Sequence, residues 1–170
     1  MTRWFGPFAT LIVAAIGAHW ATLAFAPNVI MDRALSTLKN RGIAEHAFTT
    51  PQRIMPQTQA VVRSSPDLFY SLCRFDLSER GSELSVTMGE WPDYQSLSFF
   101  DAETNNFLTL RGTGKSVSQT VYFHAPPPDD AIGVQAPTKR GVVLIRRLAP
   151  TQKAFAAAAE AAKADACNIR

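Results

Sequence analysis

Gly141-Val142-Val143-Leu144-Ile145-Arg146 is the stretch from which the fold of this chain is most directly inferred. Its four apolar side chains follow one another without a polar residue between them. A continuous apolar run of this length is expected for a central β-strand that is covered on both faces. The rest of the domain is therefore expected to supply neighbouring strands and two covering layers.

Six further segments have the alternation or the composition of strands. In one of them Leu84, Val86 and Met88 alternate with polar neighbours, which predicts a half-buried strand. Turn-forming residues separate the segments about every 8–12 residues, a spacing that favours a mainly β domain, either a sandwich or a jelly-roll-like pair of sheets. The six segments are Gln59–Arg63, Leu68–Phe75, Glu83–Met88, Gln95–Phe100, Phe107–Arg111 and Val117–His124.

Ahead of the strands, residues 4–27 carry no charged side chain, and Arg3 stands immediately before them. A helix over this segment would be about 36 Å long, enough to cross a bilayer core of about 30 Å. By the positive-inside rule, Arg3 favours an amino terminus in the cytoplasm. We expect a single-pass inner-membrane protein, with a transmembrane signal anchor at residues 1–27 and a periplasmic domain at residues 28–170.

A cleaved signal peptide is the alternative, because Ala24-Phe25-Ala26 has the small-x-small form of a cleavage site. The apolar stretch is longer than the roughly 7–15 residues of a signal-peptide core. Pro27 would also be the first residue after the cut, where a proline usually blocks cleavage. An uncleaved anchor is the favoured interpretation.

Two shorter helices are predicted beside the sheet. Residues 28–41 have the pattern of an amphipathic juxtamembrane helix, with Pro27 at its first position and Gly42 placed to end it. Thr151 can cap an alanine-rich helix that reaches about Ala164. The proline-rich segment at 125–130 is expected to be a surface loop.

The charge balance argues against one class of function. The chain has 17 Lys+Arg and 14 Asp+Glu, a net charge of +3, and the basic residues are scattered. Nucleic-acid binding is therefore not expected.

The two cysteines, Cys73 and Cys167, lie far apart in sequence, and the inferred export favours a disulfide between them. A redox-active role is not indicated, since there is no C-x-x-C motif.

Several short motifs together resemble the bacterial domain of unknown function 1254, in the short membrane-anchored form found in alphaproteobacteria. The likeness covers roughly residues 27–168. It implies a β-rich, jelly-roll-like domain in the cell envelope and supplies no catalytic residues. The motifs are Val62-Arg63-Ser64-Ser65-Pro66-Asp67-Leu68-Phe69-Tyr70-Ser71, Asp76-Leu77-Ser78, Tyr94-Gln95-Ser96, Asp101-Ala102-Glu103-Thr104-Asn105-Asn106-Phe107 and Gly141-Val142-Val143-Leu144-Ile145-Arg146-Arg147.

The resemblance also implies a partner. In longer relatives this domain precedes another one, domain of unknown function 1214. A chain that ends at Arg170 has no room for it. We expect a companion membrane protein to carry that second domain, so that functions needing both domains are completed in trans.

A polar cluster follows the strand at Gln95–Phe100 and includes Asp101, Glu103 and Asn105. On a loop at a strand end, such side chains can bind a sugar or a cation, or act as an acid and base. Asp and Asn also stabilise tight turns by bonding their own backbone, and we favour this simpler interpretation. Trp91 and Tyr94, which flank Pro92-Asp93, are candidates for stacking on sugar rings, although packing is the commoner role of such residues.

A second polar group flanks the predicted strands. Arginine forks suit carboxylates and phosphates, so an anionic ligand is conceivable. An internal ion-pair network that fixes the turn at Ser65-Pro66-Asp67 is the favoured interpretation. The group consists of Arg63, Asp67, Arg74, Asp76, Arg146 and Arg147.

Metal and serine-hydrolase chemistry have little support. His46 and His124 could join Asp129 or Asp130 around a metal, but their spacing matches no ligand motif. The serines lack a G-x-S-x-G elbow. We therefore expect a non-enzymatic envelope protein without a cofactor, which binds a companion membrane protein. The alternative is a glycan-binding or glycan-processing domain with its site at the Asp101 to Asn106 loop.

Overall fold

The computed structural model describes residues 4–53, 64–79, 82–112, 114–129 and 131–170. Its first element is one long helix, α1 (Phe5–Asn40). Among the described residues it is the only helix long and apolar enough to span a membrane, a property that a signal sequence near the amino terminus would share. None of its most apolar 18-residue window is buried against protein. The side chains in that part of α1 are therefore free to contact lipid or another protein.

The prediction of a separate short helix at residues 28–41 is wrong. Residues 28–40 continue the same helix instead of forming a separate one, and Pro27 lies inside it. A proline in a helix removes one hydrogen bond, but a helix this long can be continued on both sides of the defect. From Met31 onward the helix packs on the domain, where Met31 and Leu35 are buried against Val142.

The strands form two sheets. Sheet A has the order β1 (Leu68–Asp76), β7 (Arg140–Leu148), β3 (Gln95–Asp101) and β4 (Asn106–Gly112), all antiparallel. Sheet B has the order β6 (Gly133–Gln135), β5 (Val117–Tyr122), β2 (Leu84–Met88) and β8 (Ala166–Ile169), with β5 and β6 parallel. The apolar run that begins at Val142 lies in β7, an inner strand of sheet A, as its sequence predicts.

Side chains of both sheets meet in one buried cluster, so the two sheets share a core. Phe75, Leu97 and Ile145 enter this core from sheet A, and Val86 and Val121 enter it from sheet B. Along β1, β3 and β7 the odd-numbered residues face the core, because successive side chains of a strand point to opposite faces. The even-numbered residues form the outer face of sheet A, part of which is covered by α1.

The carboxyl-terminal region closes one end of the two sheets. Helix α2 (Gln152–Ala161) is followed by a 3-10 turn at Ala162–Ala164, close to the predicted end of the helix. The Thr151 side chain caps it by accepting from the backbone N–H of Ala154, as the sequence predicts. Because α1 and these helices stand beside the two sheets, the prediction of a mainly β chain is only partly supported.

Two strands, β6 and β8, are absent from the sequence-based prediction. Both are short, with three and four residues, and neither shows a clear alternation. The predicted strand at Gln59–Arg63 lies outside the described residues. The other predicted strands are present, with ends that move by one or two residues.

Candidate functional site

The Asp101 carboxylate, the centre of the predicted polar cluster, lies at the end of β3 and is 1% exposed. Its Oδ1 accepts hydrogen bonds from the backbone N–H of Glu103 at 2.9 Å and of Asn105 at 2.8 Å. Its Oδ2 accepts from the Asn105 side-chain amide at 3.0 Å. Both oxygens are thus engaged within the turn between β3 and β4. This geometry favours the turn interpretation over an acid or base.

The neighbouring backbone explains why the turn needs this carboxylate. Thr104 has a φ of 69°, in the left-handed region that a β-branched residue rarely adopts. The chain reverses there and the backbone N–H of Asp101 donates back to the Asn105 carbonyl at 3.0 Å. Glu103 is exposed, and its side chain has no hydrogen bond or ion pair among the described residues.

The two aromatic candidates lie far from the Asp101 turn. Tyr94 immediately precedes β3 and Asp101 ends it, so the two are separated by about 23 Å of strand. The structure therefore does not bring the predicted stacking residues and the predicted polar cluster into one site. A single sugar-binding site cannot include both Tyr94 and Asp101, because they lie at opposite ends of β3.

The structure also separates Trp91 from Tyr94. Trp91 is 7% exposed and packs with Phe69, Ala149 and Ala158, so the suggestion that it stacks on a sugar ring is wrong. It is buried because α2 folds over the end of sheet A. Tyr94 is 45% exposed, and its hydroxyl donates to Ser96 Oγ at 3.2 Å. Tyr94 alone remains a surface residue of this pair.

The favoured ion-pair network around Asp67 is not found among the described residues. Arg147 is fully buried, and its guanidinium binds both carboxylate oxygens of Asp165, with the Nη1 to Oδ2 distance at 2.8 Å. Ser71 Oγ and the backbone N–H of Gly89 also donate to this carboxylate. The pair therefore links sheet A to the segments before β3 and β8, and is a structural element inside the domain.

The other members of that group have different partners. Arg74 pairs with Glu45 at 3.1 Å, and the Asp76 carboxylate accepts from the backbone N–H of Ser78. In the turn before β1, Ser65 Oγ and the Asp67 carbonyl each accept a backbone N–H, and the Arg53 guanidinium donates to the Pro66 carbonyl at 3.5 Å. Arg63 lies outside the described residues.

The adjacent residue Arg146 points the opposite way. It lies on the outer face of sheet A in a register row that crosses all four strands: Tyr70 pairs with Arg146, Arg146 with Ser96, and Ser96 with Arg111. We call these four residues the arginine row. Directly opposed residues have Cβ atoms about 5 Å apart, so the Arg146 and Arg111 backbones are separated by about 10 Å.

A charged cleft lies where α1 meets sheet A. Its volume is about 410 Å3, and its lining includes Asp32, Lys39 and Arg140. Arg140 approaches Asp32 at 3.5 Å across it. Charges of both signs line the cleft, so it has no strong preference for an anion or a cation.

The histidines considered for a metal site contact backbone carbonyls. His46 Nε2 lies 3.2 Å from the Asp76 carbonyl, and His124 Nε2 lies 2.8 Å from the Leu77 carbonyl. Within the described ranges no three His, Cys, Asp or Glu side chains are arranged to hold a metal ion. Asp130 lies outside those ranges.

The two cysteines are joined. A disulfide links Cys73 in β1 to Cys167 in β8, with Cα atoms 6.6 Å apart, and so ties sheet A to sheet B across the core. Both residues are buried, at 0% and 1% exposure. The pairing is the one that the sequence favours.

Comparison with protein-family models shows which family this domain belongs to. Residues 46–168 match the family model described as protein of unknown function (DUF1254). The chain belongs to the DUF1254 family. The match begins just after α1 and covers both sheets of the domain.

Two solved structures are similar to this DUF1254 chain. The VPA0106 protein from Vibrio parahaemolyticus is 12% identical, with a TM-score of 0.61 over 86% of this chain. An uncharacterised protein from Burkholderia cenocepacia is 14% identical, with a TM-score of 0.50 over 76% of this chain. This chain covers 35% of each of those proteins. A search of curated proteins found no match. These likenesses establish the fold alone.

Proposed function

We propose that this DUF1254 protein is a single-pass inner-membrane protein whose periplasmic domain binds a companion membrane protein. The observation that supports the anchor is the contrast within α1. Its apolar amino-terminal part contacts no described part of the domain, whereas the part from Met31 onward is docked on sheet A. An apolar helix of this length that packs on no other protein surface is stable in a bilayer, whereas in water its exposed apolar surface would promote aggregation.

Two further observations agree with this location. Arg3 before the apolar segment supports an amino terminus in the cytoplasm. The buried disulfide supports an oxidising compartment for the domain, because thiols are kept reduced in the cytosol. The two four-stranded sheets are compatible with the jelly-roll-like topology, which stays a prediction.

The companion is proposed to carry domain of unknown function 1214. The supporting observation is that this chain matches only 35% of each solved relative, so those proteins contain much more chain beside the matched region. In the family resemblance, the longer relatives place that second domain after this one. Here a separate membrane protein would supply it.

The alternative, a glycan-binding or glycan-processing site at the Asp101 to Asn106 loop, has weaker geometric support. Both carboxylate oxygens of Asp101 are used by the turn, and Tyr94 lies at the other end of β3. The exposed Glu103 and Asn105 would have to form the site without them.

Crosslinking in intact cells, followed by purification in mild detergent and mass spectrometry, tests the proposal. The expected result is one stoichiometric membrane protein with a domain of unknown function 1214. Recovery of the chain with glycan and no protein would favour the alternative. For the anchor, sequencing of the amino terminus decides: a mature species that begins at Pro27 would contradict it.

A further inference from the structure

We propose that the arginine row on the outer face of sheet A is the surface on which the companion protein docks, through an acidic segment of that protein. This inference rests on the proposed function and specifies its interface. It makes Arg146 and Arg111 the charged contacts and Tyr94 an aromatic neighbour.

The first argument is the lack of internal partners for two arginines. Among the described residues, the basic side chains in ion pairs are those of Arg74, Arg140, Arg147 and Lys163. Arg146 and Arg111 form neither an ion pair nor a hydrogen bond within that part of the chain. The outer face of sheet A therefore presents two positive charges that the described domain does not neutralise.

The second argument is the spacing of these charges. Their backbones are about 10 Å apart with Ser96 between them, so two long side chains can converge above that small residue. Ser96 is 1% exposed, which leaves the guanidinium groups as the prominent donors there. A guanidinium fork binds a carboxylate through two parallel hydrogen bonds. The row thus matches one or two acidic side chains.

The third argument is the composition around the row. Tyr70 stands at one end, and the exposed Tyr94 contacts Ser96 through its hydroxyl. Tyrosine and arginine are the residues enriched at the energetic centres of protein interfaces. The row lies along a sheet face rather than in a concave pocket, which favours a protein surface over a small molecule.

The fourth argument is that Arg111 and Tyr94 are exposed at the sheet face. Helix α1 packs on the part of the same face near Val142 and Leu72, whereas Arg111 of the row is exposed. Strand β4, which carries Arg111, is an edge strand of sheet A. The nearest acidic residues along the chain, Asp67 and Asp93, form no ion pair with the row. A partner can approach from this edge.

The test places a photo-crosslinking amino acid in the full-length protein in living cells. One variant carries it at Tyr94, beside the row, and the matched control carries it at Asn168, exposed on the outer face of sheet B. The companion should be captured from Tyr94 and not from Asn168. The crosslinked peptide of the companion should contain an acidic segment.

Substitutions then test the charges. With the crosslinker at Tyr94, Arg146→Gln or Arg111→Gln should each lower capture about 10-fold or more, as expected for a central contact. Arg140→Gln, which removes an exposed arginine of the same strand outside the row, should leave capture unchanged. Arg146→Glu should lose capture and regain it when the mapped acidic residue of the companion is changed to lysine.

The outcomes separate this inference from the proposed function. Capture of the companion from Asn168 alone, or capture from Tyr94 that neither arginine affects, would overturn the inference and leave the proposed function standing. Capture of a second copy, a glycan or a lipid from Tyr94 would also overturn it. If the companion is captured neither from these two positions nor in the whole-protein crosslinking, both the inference and the proposed function are wrong. The variants should retain the wild-type unfolding temperature, so that lost capture does not reflect lost folding.

Discussion

Replacing Asp101 by alanine should destabilise the domain by about 3–5 kcal/mol. The substitution removes a buried carboxylate that accepts three hydrogen bonds, two of them from backbone N–H groups. A hydrogen bond to a charged group contributes about 1.5–3 kcal/mol. The total falls below the simple sum, because Glu103 and Asn105 are exposed and their N–H groups can partly turn to water.

Such a loss is a large fraction of the roughly 5–15 kcal/mol that holds an ordinary domain folded. It corresponds to a fall of roughly 10–20 °C in the unfolding temperature. The free energy of unfolding is measured by a urea titration of the full chain in mild detergent, with near-ultraviolet circular dichroism as the signal. Asp101→Asn should lose about half as much, since one amide oxygen can still accept from the two backbone groups while the amide nitrogen cannot accept from Asn105.

Glu103→Ala is the matched control, because it removes an exposed carboxylate of the same turn and should change stability by less than about 0.5 kcal/mol. An Asp101→Ala protein as stable as the wild type would refute the turn interpretation. If that stable variant also lost companion or glycan binding, Asp101 would be a site residue. The two interpretations therefore give opposite results in one pair of measurements.

Three further changes test other parts of the structure. Thr104→Gly should stabilise the domain by about 1 kcal/mol in the same urea assay, because glycine adopts a φ of 69° without strain, and a loss of stability would contradict that explanation. Reducing the disulfide should lower the free energy of unfolding by about 4 kcal/mol, whereas a Cys73→Ala, Cys167→Ala double variant should not respond to reductant. Asp165→Asn should lower the free energy of unfolding by about 3–5 kcal/mol, because it leaves the buried Arg147 without its counter-charge. A double-mutant cycle with Arg147→Met should show strong coupling between the two residues. Additive effects would mean that the pair is energetically unimportant.

Local sequence patterns predicted the strands that carry alternating or continuous apolar residues. The segment from Val142 to Ile145 and the alternation from Leu84 to Met88 correspond to β7 and β2. Strands β6 and β8 could not be predicted in this way, because a strand of three or four residues owes its existence to its partners. Strand β8 pairs with β2 and is held by the disulfide to β1, and both contacts are remote in sequence.

The helix boundary at Pro27 shows the limit of local rules in the other direction. Proline is favoured at the first position of a helix, so the sequence predicted a new helix there. The docking of Met31 and Leu35 on sheet A stabilises the second half of one continuous helix instead. Tertiary packing outweighs the single hydrogen bond that the proline removes.

The candidate site was predictable in its residue types and not in its contacts. Asp and Asn after a strand predicted the turn, which the structure shows in detail. The opposite roles of Arg146 and Arg147 follow from strand alternation, but the partner of Arg147 could not be inferred, because Asp165 lies in a short segment after α2. The burial of Trp91 likewise depends on a helix more than 60 residues later.

The strand order of sheet A has a consequence for the time course of biosynthesis. Strand β1 pairs along its whole length with β7, which is made more than 60 residues later. At about 5–20 residues per second, β1 waits roughly 3–13 s after its own synthesis for its partner. During that interval Phe69, Phe75 and the Cys73 thiol have no core to enter. A nascent chain of this protein therefore needs protection from aggregation until β7 arrives. Its Cys73 thiol needs protection from premature oxidation for longer, until Cys167 in β8 has been made.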